Sequence, residues 1–120
     1  MPFILSTTSN PGTATWTDFG PVGNANVVEV LTTLYNVQAD DQVILVNQVP
    51  AAPVTVQLPE GATMDANLVW IKDKKGTAGA QNITVQPALG ETIDGALSIL
   101  INANYASRTL VFFNGEWSIV

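Results

Sequence analysis

From residue 71 onward the chain is cut into apolar bursts of four to six residues, each ended by Gly, Asn, Asp or Pro. Ile71-Lys72-Asp73 leads to Gly76, and Asn82-Ile83-Thr84-Val85-Gln86 stops at Pro87. Glu91-Thr92-Ile93-Asp94-Gly95 follows, then Asn102 and Tyr105-Ala106-Ser107. The last words are Leu110-Val111-Phe112-Phe113, the pair Asn114-Gly115, and Glu116-Trp117-Ser118-Ile119-Val120. Bursts this short cannot complete helices. They predict short strands joined by tight turns, and Asn-Gly between two apolar runs is the strongest hairpin signal in the chain.

The same grammar extends upstream. Strands are expected over roughly 33–38, 42–47, 54–58, 68–72, 82–86, 97–101, 108–113 and 116–120. Pro50, Pro53 and Pro59 bracket the third of these and Pro87 closes the fifth, where a residue without an N–H does least harm. Asn26-Val27-Val28-Glu29 also fits a capped helix start. The β-branched run Val27, Val28, Val30, Thr32 and Thr33 favours a strand instead. This spacing predicts an all-β fold: a small antiparallel sandwich or barrel-like, jelly-roll-like domain.

Two details refine that expectation. Val54-Thr55-Val56-Gln57-Leu58-Pro59 and Ile83-Thr84-Val85-Gln86-Pro87 echo each other, although one echo is not a repeat array. Val43–Val46, Leu68–Ile71 and Leu110–Phe113 are apolar at every position, whereas a strand with one wet face alternates. Both faces of these strands are therefore expected to be covered, the outer one by neighbouring subunits. Only 12% of residues are charged and 47% are hydrophobic, against about 25% charge in ordinary domains. That composition favours an oligomer or a chain that docks on something larger.

Charge and missing residue types exclude several functions. Ten acids against four bases give a net charge of −6, too few cations to displace counterions from nucleic acid or to hold an anionic membrane. No apolar run approaches a membrane-spanning length, and no basic residue stands near Met1 as in a secretory leader. A soluble, cytosol-made protein is expected. There is no Cys and no His, so disulfides, thiolate chemistry, the commonest metal ligand and the usual neutral-pH base are all absent. Serines lack a His partner and no Lys follows at the Ser-x-x-Lys spacing. Glu91 with Asp94, or Glu60 with Asp65, would suit glycoside hydrolysis but reads better as solvated turn residues. Asp40 reads as a turn former rather than a cation ligand. No enzyme activity, cofactor or metal is expected. Trp70, Tyr105 and Trp117 offer sugar-stacking surfaces, but aromatics on strands are more often core. Trp70, Leu110, Phe112, Phe113 and Trp117 are the candidates for core or subunit interface.

Residues 1–26 differ from the rest. They hold three Pro, three Gly, five Thr and a single charge, Asp18. Phe3, Ile4, Leu5, Trp16, Phe19 and Val22 follow neither period 2 nor period 3.6. The region reads either as a lead-in packed on its own domain or as an arm whose large side chains plug into neighbours. A free tail would normally be charged and poor in aromatics.

The ordered set Val37…Asp40, Val43-Ile44-Leu45-Val46, Pro53-Val54-Thr55-Val56, Leu58-Pro59 and the words from Ile71 to Val120 resembles a small β-module of bacteriophage virion proteins. That module recurs in capsid decoration (cement) proteins, head fibres and tail fibres. The resemblance covers residues 33–120; residues 1–31 depart from it, which divides the chain into an arm (1–31) and a module (32–120). It implies a homotrimeric, non-enzymatic subunit on the surface of the virion, with no catalytic residues to carry over. Without a long shaft, a decoration protein bound to the major capsid protein through Phe3, Ile4, Leu5, Trp16 and Phe19 is the expected role. The alternative is a short head-fibre or tail-fibre tip that recognises host glycans.

Overall fold

The computed structural model describes residues 25–120, and these fold as an all-β unit of nine strands with one 3-10 turn. The strands are β1 (Val27–Val30), β2 (Leu34–Asn36), β3 (Val43–Val46), β4 (Val54–Gln57), β5 (Leu68–Asp73), β6 (Ile83–Gln86), β7 (Ile99–Ile101), β8 (Ser107–Phe113) and β9 (Glu116–Ile119). Each of the eight expected segments contains a strand, and the valine-rich run at 27–30 is a ninth. The 3-10 turn Gly61–Met64 lies between β4 and β5.

The pairing corrects the antiparallel expectation. One sheet has the order β1-β3-β5-β8-β9 and the other β2-β4-β6-β7. The pairs β1–β3, β3–β5, β2–β4 and β4–β6 are parallel; β5–β8, β8–β9 and β6–β7 are antiparallel. From β1 to β6 the chain alternates between sheets, so each strand lies beside the strand two steps earlier. The result is a coil of three turns, each turn made of one strand per sheet. A parallel neighbour needs a crossover, and here a strand of the opposite sheet is that crossover. The antiparallel strands β7, β8 and β9 close the coil.

The sequence echo is explained by this coil. Val54, Thr55, Val56 and Gln57 stand directly beside Ile83, Thr84, Val85 and Gln86, residue for residue. Equivalent positions on successive turns face the same surroundings, so they carry the same residue types. Thr55 and Thr84 point outward, while Val54, Val56, Ile83 and Val85 enter the core.

The two sheets share one core. Val30, Ile44, Val46, Val69, Ile71, Leu110, Phe112 and Trp117 come from the five-stranded sheet, and Val54, Val56, Ile83, Val85 and Ile101 from the other. Val37, Leu58, Met64, Ala78 and Ile93 fill in from the connections. β1 lies on the arm side of a boundary at residue 31, yet it pairs along its whole length with β3. Val27–Val30 therefore belong to the folded unit. Phe3, Ile4, Leu5, Trp16 and Phe19 lie outside the described residues.

Candidate interaction surface

The outer face of the five-stranded sheet follows directly from register. Val27, Val43, Trp70 and Thr109 form one row across β1, β3, β5 and β8. Glu29, Leu45, Lys72 and Ser107 form the next, and Leu68, Val111 and Ser118 lie on the other side of the Trp70 row. Val43, Leu45, Trp70, Lys72, Ser107 and Ala25 line an open hollow of about 450 Å3 whose walls are almost wholly apolar. An uncovered sheet face is ordinarily polar; this one carries Val, Leu and Trp.

Of the five core or interface candidates, Leu110, Phe112 and Trp117 are buried in the core. The other two are not core. Trp70 is 38% exposed on the outer face, and Phe113 is 66% exposed at the end of β8. The reason is the period of 2: Trp70 sits between Val69 and Ile71, and Phe113 follows Phe112, so each takes the opposite face from its buried neighbour. The strands apolar at every position thus bury one face in the chain's own core and leave the other half-covered.

Two polar knots hold the ends of this surface. Asp73, buried at the end of β5, accepts N–H bonds from Gly76 at 3.0 Å, Ala78 at 2.9 Å and Tyr105 at 3.0 Å. Burial pushes its carboxyl up, but the N–H bonds from Ala78, Tyr105 and Gly76 outweigh that and hold it below its usual value. Tyr105 has φ +62° and covers Gly76, at φ +82°; a Cβ on Gly76 would come within 2.2 Å of the Tyr105 ring. Lys72 donates to the Tyr105 carbonyl, and its ammonium lies 5.8 Å from the ring centre. This knot joins Lys72-Asp73…Gly76 to Asn104-Tyr105. The link between Asp73 and Tyr105 is not legible from local sequence; only the Asp73-to-Gly76 spacing, an Asp followed three residues later by Gly, signals the turn that Asp73 caps.

The second knot centres on Glu91, which is half-buried rather than a freely solvated turn residue. Its oxygens accept the Gly61 N–H at 3.0 and 3.1 Å and the Trp117 indole N–H at 3.3 Å. Asp94 and Thr92 bond to the backbone of Trp117, so the 91–96 turn covers the outer edge of β9. Asp41 is also buried, accepting Tyr35 Oη–H at 2.5 Å and the Gln38 N–H at 2.8 Å. Burial first, then the bond and charge of Asp41, push the Tyr35 phenol well above its ordinary value. Glu60, Asp65, Asp94 and Asp40 are exposed, as turn residues should be.

Tyr105 and Trp70 are exposed and Trp117 is buried, so the three aromatics do not converge on one site. Among the described residues no group of three acidic side chains is placed to hold a metal ion, and no helix is long and apolar enough to cross a membrane. The outer face of the five-stranded sheet thus sets Val27, Val43, Leu45, Leu68, Trp70 and Val111 among Glu29, Lys72, Ser107, Thr109 and Ser118. Compared with known families and with curated proteins, the chain matches no family model and no curated protein.

Proposed function

We propose that this protein is a structural subunit of a bacteriophage particle, a homotrimeric decoration or cement protein bound to the major capsid protein on the head surface. The observation that carries this reading is the apolar outer face of the five-stranded sheet. A single copy leaves Val27, Leu68, Trp70 and Phe113 to water in a chain with 12% charged residues. Covering such side chains against protein contributes about 1.5–3 kcal/mol each when complete, which favours a subunit that works in an assembly. The resemblance of residues 33–120 to virion modules supports the particle as the setting. In this reading the N-terminal residues, with Phe3, Ile4, Leu5, Trp16 and Phe19, provide the attachment to the capsid.

The test has two parts. Sedimentation at micromolar concentration is expected to give a trimer, and a stable monomer overturns the reading. Deleting residues 2–20 is expected to leave trimers intact while abolishing binding to particles that lack the protein. Full binding after the deletion would move attachment onto the β-module.

One observation favours a second reading. Trp70 lines an open hollow and is exposed there, so its indole is open to stacking against a sugar ring. Binding of host glycans that is lost in Trp70→Ala would select this role over decoration.

A further inference from the structure

All four cations of the chain lie at one end of the five-stranded sheet. Lys72 precedes Asp73, the last residue of β5, Lys74 and Lys75 follow with their N–H groups on the carbonyl of Val46 at the end of β3, and Arg108 lies near the start of β8. Among the described residues only Glu29, 3.3 Å from Lys74, and the enclosed Asp73 answer them there. The opposite end is acidic. Asp40 precedes β3, Asp65 precedes β5 and bridges to Phe112, and Glu116 opens β9 after the Asn114-Gly115 turn, while the neighbouring Asp41 is buried. No Lys or Arg lies at that end.

Each end also carries apolar side chains that water wets. Tyr105, Leu31 and Val49 are exposed at the cationic end, Leu68 and Phe113 at the acidic end. The molecule therefore presents two different patches of opposite sign, each with apolar area beside the charge.

We infer that copies of this chain associate head to tail, the Lys72–Lys75 end of one copy seated on the Asp65–Glu116 end of the next. This rests on the trimer reading above and names its contact. A threefold ring cannot be built from one self-complementary patch; it needs two distinct surfaces that fit each other. Opposite charges select the correct pairing and oppose contacts between like ends.

The experiment uses the full chain and charge reversal at each end. Lys74→Glu with Lys75→Glu reverses the cationic end. Asp65→Lys with Glu116→Lys reverses the acidic end, where neither side chain makes a hydrogen bond among the described residues. Sedimentation equilibrium is measured from about 0.02 to about 0.5 M salt, a range over which exposed charges become screened, with melting by circular dichroism as the check on folding. Each reversed pair is expected to weaken association at least about tenfold at low salt. Wild-type association is expected to weaken as salt rises, and the fourfold variant to recover association.

A wild-type chain that is monomeric throughout overturns the trimer reading and this inference with it. A wild-type trimer insensitive to salt, or one that both folded reversed pairs leave intact, overturns the inference alone. If a reversed pair fails to fold, the salt dependence of wild type decides.

Discussion

The rings of Phe112 and Trp117 meet edge to face, with centroids 5.4 Å apart and planes inclined at 67°. They stand opposite each other on the β8–β9 hairpin, and both lie in the core shared by the two sheets. Edge-to-face contact places the positive rim of one ring on the negative face of the other and adds about 0.5–1.5 kcal/mol to the area they bury.

Phe112→Ala and Trp117→Ala are each expected to destabilise the fold by about 3–5 kcal/mol, comparable with much of a small domain's stability. Trp117→Ala also strips Glu91 of its indole partner. Chemical denaturation of both variants checks this. A shift below about 1 kcal/mol would mean that neither ring is a core residue.

Gly61 lies under the Phe112 ring. A Cβ there would stand 2.0 Å from Phe112 Cδ1, so Gly61→Ala is expected to cost about 1–3 kcal/mol through overpacking. The conservative repair is a smaller partner. Gly61→Ala with Phe112→Leu should be less destabilised than the sum of the two single changes, and strict additivity in a double-mutant cycle would refute the contact.

Asp73→Ala is expected to leave three buried or half-buried N–H groups without their acceptor, at about 1–3 kcal/mol for each that water cannot reach. Asp73→Asn keeps one acceptor oxygen and should cost less. The folded carboxyl sits below its ordinary value of 3.8, so the unfolded chain takes up a proton more readily than the folded one. The stability from this group is complete above the unfolded pKa and is lost as pH falls through the folded value. Melting of wild type should therefore fall below about pH 4, more steeply than that of Asp73→Asn. Parallel curves for the two proteins would remove Asp73 from the pH response.

Asn114 and Gly115 both have positive φ, +56° and +91°, the signature of the two-residue type I′ hairpin. Gly115→Val is expected to cost about 1–2 kcal/mol, since a β-branched side chain is poorly tolerated in that region. Space is not the issue, because nothing lies within 4 Å of a Cβ at Gly115. An unchanged melting temperature would mean that the turn readily adopts another form.

What the sequence determined by itself is local. Strand positions, the proline-bounded ends of β4 and the Asn114-Gly115 hairpin all follow from interactions within a few residues, whereas which of Leu110, Phe112 and Phe113 faces the core did not. Turn chemistry, β-branching and alternation each act over that range. Only the tertiary structure decided which strands are neighbours. The successive short strands from β1 to β6 could pair by hairpins or cross between sheets, and nothing within any one of them distinguishes the two. Crossing wins here, and it turns the Val54–Gln57 and Ile83–Gln86 echo into adjacent parallel strands. The same choice sets which side of β5 faces the core. A strand apolar at every position can be rotated by one residue without changing its composition, so Trp70 became an outer-face residue only when Val69 and Ile71 found their partners. Asp73 and Tyr105, 32 residues apart, owe their bond to the long-range pairing of β5 with β8. The pairing of distant segments depends on the whole core closing at once, and no short window of sequence contains that information.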